Sequence, residues 1–324
     1  MLSETAESFE FTVDDADEGK RFDVFVSEQF EDRSRSQLKK LIDEGSATVN
    51  GGQAKSSYKL RAGERIQIEF TTEDDDRFTP EDIPLNIVFE DEYLAVINKP
   101  AGMVVHPGAG VSNGTLANAV AFHFGIAAES TDESKKNRVG IVHRLDKETS
   151  GLIVVAKNEI TQDRLSEQFA SRKVSKSYVA LVHGFVRRLN GKIDVPIARD
   201  RKNRVKMAVD KNGRNALTFY KVRQRFERFT LLDLDIRTGR THQIRVHTAH
   251  IKHPVVGDTV YNEGRDNTIP DAQLKKAVRE LDRFFLHSEK LEITHPVSKE
   301  RMSFEAPLPD ELISIITMIR EREH

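Results

Sequence analysis

The chain has 324 residues, no cysteine, and a formal charge of only −2. Its length predicts one large and one small domain. The lack of cysteine excludes disulfides, thiolate metal sites and cysteine catalysis, and it fits a reducing compartment. Because no apolar run approaches membrane-spanning length and no secretory signal is visible, we expect a cytoplasmic protein without a membrane partner.

The small net charge conceals an uneven distribution along the chain. Residues 1–92 carry 24 acidic and 11 basic residues, whereas residues 134–265 carry 29 basic and 13 acidic ones. A basic region of this size predicts a polyanionic partner. The acidic region is better explained by a solvated tail and linker.

The first third of the chain predicts a tail, a small domain and a linker. Residues 1–18 hold seven acidic and no basic residues, which predicts an acidic tail with an edge strand at Phe9–Val13. Residues 19–72 follow as the small domain, and the acidic, proline-containing residues 73–86 predict a linker. Two helices and two strands are expected in the small domain: Phe22–Phe30, Arg35–Glu44, Ala47–Val49 and Gly63–Phe70.

Residues 87–324 predict a second domain that is rich in strands. The helices are expected at Thr115–Phe124, Asn158–Phe169, Arg240–Ile251, Asp271–Arg283 and Pro309–Arg322. The strands are expected at Ile87–Phe89, Tyr93–Ile97, Val139–Val142, Leu152–Val155, Val174–Val182, Ala216–Phe226, Phe229–Arg237, Phe284–Ile293 and Arg301–Glu305. Because helices and strands do not alternate regularly, the pattern predicts an α+β fold with a mixed, mainly antiparallel sheet.

The loop between the runs Val139–Val142 and Leu152–Val155 is the first candidate site. Asp146 lies there between Arg144 and Lys147. A single carboxylate between two cations is typical of a positioned, ionised catalytic aspartate. A hydrogen-bonded turn is the alternative interpretation of the same residues.

A histidine cluster suggests a competing function. His242, His247, His250 and His253 lie within twelve residues, and imidazole is a common metal ligand. No H-E-x-x-H motif is present, and the interleaved Arg245 would repel a cation. A metal-dependent RNA phosphodiesterase therefore remains the alternative, and no metal is expected. No phosphate-binding glycine motif appears either, so no nucleotide cofactor is expected.

The small domain resembles the S-four-type RNA-binding domain over about residues 19–72. Two short helices, the second of them basic, followed by V-N-G and a terminal strand carry this resemblance. It implies that a basic helix face contacts RNA phosphates without reading sequence. That face would be formed by Arg33, Arg35, Lys39 and Lys40.

Six motifs of the chain resemble those of the RNA pseudouridine synthases of the RluA type. They are H-R-L-D-K-E-T-S-G at 143–151, R-T-H-Q-I-R-V-H at 240–247, N-K-P-x-G at 98–102, V-H-P at 105–107, S-Y-V-A at 177–180 and F-L-H at 285–287. The resemblance spans about residues 19–310. It implies a pseudouridine synthase catalytic domain behind the small RNA-binding domain. The implied reaction detaches uracil from ribose, rotates it and rejoins it through C5, without a cofactor.

The resemblance also assigns roles to individual residues. It implies that Asp146 is the essential carboxylate, as nucleophile or as base, and that Arg245 pairs with it, which favours the ionised form. Tyr178 matches the tyrosine that stacks on the target base. Arg144 matches the residue that enters the RNA where the target uridine leaves the stack.

The remaining implications concern the base pocket and the substrate. Ile244 and Leu286 would form apolar walls around the uracil. The expected partner is large-subunit (23S) ribosomal RNA or a pre-ribosomal particle, bound by a monomer. An RNA-binding ribosome-assembly factor with lapsed catalysis is a further alternative, and the intact Asp146, Tyr178 and Arg245 argue against it.

Overall fold

The computed structural model describes residues 7–30, 35–70, 79–108, 111–125, 139–203 and 206–323. The chain divides into two compact units, Met1–Arg77 and Phe78–His324. The division falls inside the predicted linker of residues 73–86.

The small unit is an antiparallel sheet with two helices. The helices are α1 (Phe22–Gln29) and α2 (Arg35–Glu44), and the strands are β1 (Glu7–Thr12), β2 (Ala47–Val49), β3 (Gly52–Gln53) and β4 (Arg65–Phe70). The strand order is β1-β4-β2-β3. Strand β4 alternates between exposed and buried residues, so Ile66, Ile68 and Phe70 enter the core.

The edge strand predicted at Phe9–Val13 is present as β1 (Glu7–Thr12), at the edge of the small sheet, so the acidic tail is shorter than the predicted residues 1–18. Strand β1 pairs with β4 along its whole length, from Glu7 opposite Phe70 to Thr12 opposite Arg65. The Phe9 ring lies edge-on to Phe70 at 5.6 Å between centroids. The strand begins earlier than predicted because its pairing with β4 extends to Glu7.

The large unit contains eleven strands and five helices within its described ranges. The strands are β5 (Ile87–Glu90), β6 (Leu94–Lys99), β7 (Ser150–Ala156), β8 (Ser175–His183), β9 (Asn190–Asp194), β10 (Ile197–Arg199), β11 (Met207–Val209), β12 (Leu217–Arg225), β13 (Phe229–Ile236), β14 (Leu286–Thr294) and β15 (Arg301–Glu305). The helices are α3 (Leu116–Phe124), α4 (Glu159–Ala170), α5 (Gln243–His250), α6 (Ala272–Glu280) and α7 (Asp310–Arg322). None of the helices in the described parts of the chain is long and apolar enough to cross a membrane.

The main sheet follows the order β5-β6-β7-β14-β8-β13-β12-β9, with β15 paired to β14. Its described pairs are antiparallel except for β7 with β14, which are parallel. The prediction of a mixed, mainly antiparallel sheet is therefore confirmed. Strands β10 and β11 form a separate antiparallel pair.

One predicted boundary and one predicted strand of the large domain need correction. The described residues from Thr79 onward already contact this unit: the Asn118 side chain donates a hydrogen bond to the Thr79 carbonyl at 2.7 Å. The domain therefore begins before the predicted residue 87, and the linker is shorter than residues 73–86. The predicted strand Val139–Val142 is also wrong, since only Ile141 forms an isolated bridge, with Val155.

Glycine explains why the segment before the catalytic loop is not a strand. Gly140 has φ +73°, and a Cβ atom there would lie 1.8 Å from the carbonyl oxygen of Ala156. The carbonyl of Gly140 itself accepts a hydrogen bond from the Ala156 amide at 2.8 Å. A tight turn is thus held directly against the end of β7.

Candidate active site

Elements that are distant in sequence meet around Asp146, which lies in the loop before β7. Tyr178 comes from the middle of β8, and Arg245 from the first turn of α5. The predicted wall residues Ile244 and Leu286 come from α5 and the start of β14. All five line one small pocket of about 60 Å³. The structure therefore brings together the catalytic and base-pocket residues that the motifs indicated.

Arg245 links the Asp146 loop to a second carboxylate. Its Nη1 lies 3.3 Å from Asp146 Oδ2. Its Nε and Nη2 donate to the two oxygens of Asp258, at 2.7 and 2.9 Å. Arg245 is 5% exposed and Asp258 is 1% exposed, whereas the side chain of Asp146 is 19% exposed. The buried bidentate pair therefore fixes the guanidinium, which presents its remaining edge to the accessible carboxylate.

Aromatic rings complete the setting of Arg245. The guanidinium carbon lies 4.2 Å from the ring centre of Phe284 and 4.9 Å from that of Tyr261. Burial alone would lower the pKa of Arg245, but the bonds to Asp258 and the charge of Asp146 outweigh it and raise the pKa. The arginine is therefore a permanent cation beside Asp146.

Tyr178 is buried in the same pocket, with 6% of its surface exposed. Burial raises the pKa of its hydroxyl, the charge of Asp146 adds to this rise, and a hydrogen bond with Ser288 opposes it. The phenol is consequently neutral at physiological pH. Its ring forms an apolar wall of the pocket that Asp146 also lines.

A buried lysine holds the Asp146 loop in place. Lys99, at the end of β6, is fully buried, and its Nζ donates to the carbonyls of Pro100, Met103 and Lys147 at 2.7, 2.8 and 3.1 Å. The Gly102 amide donates to the same Lys147 carbonyl at 2.9 Å. The N-K-P-x-G segment thus clamps the chain one residue after Asp146. Burial lowers the pKa of Lys99 to about 7.

Arg144 lines three neighbouring pockets. It is exposed, and it lines the small pocket, a second pocket of about 430 Å³ and a cleft of about 830 Å³. The cleft is also lined by arginines and by carboxylates, namely Arg245, Arg279, Arg283, Glu148, Asp258, Asp266 and Asp282. The approach to Asp146 therefore carries charges of both signs.

The histidines of the predicted cluster do not converge on a common point. His242 is hydrogen-bonded to the Tyr261 hydroxyl at 2.8 Å, and His247 to Thr218 at 2.9 Å. His253 is hydrogen-bonded to the backbone carbonyl of His183 at 2.9 Å, while His250 is exposed. Among the described residues, no group of three or more histidine or carboxylate side chains is arranged to hold a metal ion.

The four cations predicted to bind RNA in the small unit are only partly described. Arg33 lies outside the described residues. Arg35, Lys39 and Lys40 all belong to α2, whose predicted bounds Arg35–Glu44 are confirmed. Of these side chains only that of Lys39 is described, and it is exposed.

Sequence reasoning missed Asp258 and left Lys99 without a role. Asp258 closely follows the buried Val255 and Val256, and only this apolar context marked it as a candidate for burial. A buried charge requires a partner, but the sequence did not show that the partner is Arg245, thirteen residues earlier. Lys99 belongs to the N-K-P-x-G motif. The structure shows what this lysine does there, because its ammonium binds three backbone carbonyls.

Comparison with known proteins shows the family of this chain. The model of the family described as RNA pseudouridylate synthase matches residues 93–250, and that of the S4 domain matches residues 20–66, which confirms the predicted small domain. Two similar proteins are called ribosomal large subunit pseudouridine synthase D. The one from Vibrio cholerae is 44% identical over 96% of this chain and 94% of its own. The one from Xanthomonas campestris pv. campestris is 43% identical over 95% and 92%.

A solved structure supports the same assignment. Human RNA Pseudouridylate Synthase Domain Containing 4 is 26% identical, with a TM-score of 0.56, over 72% of this chain and 93% of its own. The expected pseudouridine synthase fold is therefore confirmed. The chain belongs to the RNA pseudouridylate synthase family and is an RNA pseudouridine synthase.

Proposed function

We propose that the protein isomerises specific uridines of large-subunit ribosomal RNA, with Asp146 as the essential carboxylate and without a cofactor. The observation that carries the proposal is the Asp146–Arg245 ion pair at 3.3 Å in the small pocket that Tyr178, Ile244 and Leu286 also line. The name shared by the curated relatives, ribosomal large subunit pseudouridine synthase D, supports the RNA class.

The reaction breaks the C1′–N1 bond and forms a C1′–C5 bond, while the proton on C5 is lost and N1 gains one. Atoms and charge balance within the substrate, so no donor or acceptor cofactor is required. Attack on ribose and removal of a ribose proton both need an ionised carboxylate. Arg245, held by Asp258, places its Nη1 3.3 Å from Asp146 Oδ2.

The other pocket residues position the base during its rotation. Ile244 and Leu286 provide apolar walls, and the ring of Tyr178 provides a flat surface on which uracil stacks. The neutral hydroxyl of Tyr178, which lines the same pocket as the carboxylate, takes part in moving the C5 proton.

Arg144 and the small unit bind the RNA. A uridine in a helix is out of reach, so the enzyme extrudes it, at a cost of a few kcal/mol. The exposed Arg144 fills the vacated space by stacking its guanidinium. Arg33, Arg35, Lys39 and Lys40 contact phosphates through the S4 domain. The protein acts as a monomer in the cytoplasm, on free rRNA or on an assembling subunit.

The central test is the substitution Asp146→Asn, which keeps the side-chain shape and removes the charge. Wild-type protein mixed with unmodified large-subunit rRNA should create new reverse-transcription stops after carbodiimide treatment, and Asp146→Asn should create none. Asp194→Asn is the matched control, since this exposed aspartate of β9 lies outside the pockets described above. Activity retained by Asp146→Asn would refute the role of the carboxylate.

The metal-dependent alternative is tested in the same assay. We expect identical stops with and without EDTA, and intact RNA in both samples. Loss of activity on chelation, or strand cleavage, would favour the phosphodiesterase instead. Absence of new stops with wild-type protein would refute the rRNA assignment, and pseudouridine mapping in a deletion strain would then identify the RNA.

A further inference from the structure

A second pocket, of about 430 Å³, opens beside the catalytic pocket in the large unit. The two pockets share Arg144, Tyr178, Ile236 and Gly239. Its volume is in the range of small-ligand sites. The described residues that line this pocket include no aspartate or glutamate.

Lys176 provides the distinctive charge in this second pocket. It lies two residues before Tyr178 on β8, so both side chains leave the same face of the strand. Its Nζ lies 5.4 Å from the ring centre of Phe169. Within the described parts of the chain, Lys176 has no hydrogen bond and no ion pair. Burial lowers the pKa of Lys176 to about 8, which leaves a mostly protonated ammonium without a counter-ion.

The neighbouring wall is aromatic and uncharged. The ring of His143 stacks on Phe169 with 4.5 Å between centroids. Its Nε2 accepts a hydrogen bond from the Val154 amide at 3.0 Å, and burial lowers the pKa of His143 to about 3. His143 is therefore neutral, and its accepting nitrogen is already used within the fold.

We propose that this second pocket holds the nucleotide that adjoins the target uridine in the RNA strand, with a phosphodiester oxygen bound to the Lys176 ammonium. An anion supplies the counter-ion that the fold does not provide. Because the two pockets share four residues, their occupants are close enough to be covalent neighbours. The proposal rests on the RNA pseudouridine synthase activity, not on a particular uridine.

The test compares RNA binding by Lys176→Gln, Lys176→Arg and wild type at several salt concentrations. The probe is a short rRNA fragment that the wild-type chain converts. Lys176→Gln should bind roughly tenfold more weakly, as for one lost hydrogen bond to a charged group. The slope of log affinity against log salt should fall by about 0.7, the value for one phosphate contact on a single strand. Lys176→Arg should keep the wild-type slope.

Lys192→Gln is the matched control, because this lysine of β9 is 64% exposed and lines none of the three pockets. An unchanged salt slope in Lys176→Gln would overturn the proposal even if affinity fell. The loss of a lysine that does not contact a phosphate leaves unchanged the number of counter-ions that RNA binding releases.

A second measurement needs no variant and covers the case in which Lys176→Gln does not fold. Neutral methylphosphonate linkages are placed one at a time on either side of the target uridine. One flanking linkage should weaken wild-type binding roughly tenfold. If neither flanking linkage matters, the subsite is refuted. Failure of the wild type to form pseudouridine would instead refute the rRNA assignment, so the two failures are distinct.

Discussion

Arg245 shows why one residue type is required at the site. Its guanidinium binds Asp258 through two parallel bonds and still offers Nη1 to Asp146. A lysine ammonium has no such fork and could not hold two carboxylates in fixed directions. Removing two charges from water is costly, so the pair is explained by geometry rather than by stability.

This arrangement predicts that Asp258→Asn impairs catalysis, although Asp258 acts only through Arg245. The guanidinium loses its charged anchor and reorients, so the single-turnover rate at saturating RNA should fall by about a hundredfold, as for a group displaced by an ångström. The free energy of unfolding should fall by about 3 kcal/mol, because a buried charge loses a partner. Rapid-quench kinetics and urea titration measure the two effects.

Asp194→Asn is the control for that substitution, because Asp194 is exposed and pairs only loosely with Lys192 at 3.6 Å. We expect no change in rate with this variant. A wild-type rate for Asp258→Asn would show that Asp146 does not depend on the anchored guanidinium.

At the scale of elements, the parallel contact between β7 and β14 supports the catalytic loop. Ser150 lies opposite His287, and Gly151 lies opposite Ser288. The Ser150 hydroxyl is hydrogen-bonded to His287 and accepts a bond from Arg283, each at 2.8 Å. The chain leaving the Asp146 loop is therefore fixed within four residues of the carboxylate.

Gly151→Ala should disrupt this contact. Gly151 has φ +109°, and a Cβ atom there would lie 2.2 Å from the Ser288 carbonyl oxygen. We expect a loss of about 3 kcal/mol in unfolding free energy from combined strain and overpacking, with loss of activity. Thermal and urea unfolding provide the measurement.

Gly125→Ala separates backbone strain from the steric clash. Gly125 has φ +60°, but no atom lies within 4 Å of the added Cβ. Its cost should be only about 1 kcal/mol, the usual penalty for a left-handed residue. Equal losses in the two variants would contradict the close approach of β7 and β14.

At the scale of the whole molecule, function is divided between two units of unequal charge. The pocket around Asp146 lies entirely in the large unit, which contains the basic residues 134–265. The small unit is acidic overall, and its candidate RNA-binding cations are concentrated before and within α2. Nonspecific phosphate contacts of this kind add affinity without selecting a base.

The double substitution Arg33→Glu with Lys39→Glu tests this division. It should weaken binding of the rRNA fragment and reduce the salt slope by about 1.4, the value for two contacts on a single strand. The single-turnover rate at saturating RNA should not change, because the pocket is intact. Binding titrations over a series of salt concentrations measure the slope.

Lys55→Glu with Lys59→Glu makes the same charge change elsewhere in the small unit, at two exposed lysines outside α2. This control should keep most of the affinity. Equal weakening by both pairs would assign the effect to net charge, and unchanged binding by the Arg33 and Lys39 pair would refute the contact.

The sequence by itself determined much of this protein. Local patterns predicted α2 to the residue, and the motifs identified Asp146, Tyr178 and Arg245, because the residue types and their order are written in the chain. The order of helices and strands also predicted a mixed, mainly antiparallel sheet, because a parallel sheet requires the regular strand–helix alternation that this chain lacks.

Only the tertiary structure decided the features that depend on partners distant in sequence. The partnership of Arg245 with Asp258, the three carbonyls around Lys99 and the parallel contact at Gly151 leave no periodic signal. The same reason explains why the strand predicted at Val139–Val142 is wrong. The run fails as a strand because Gly140 must turn against Ala156.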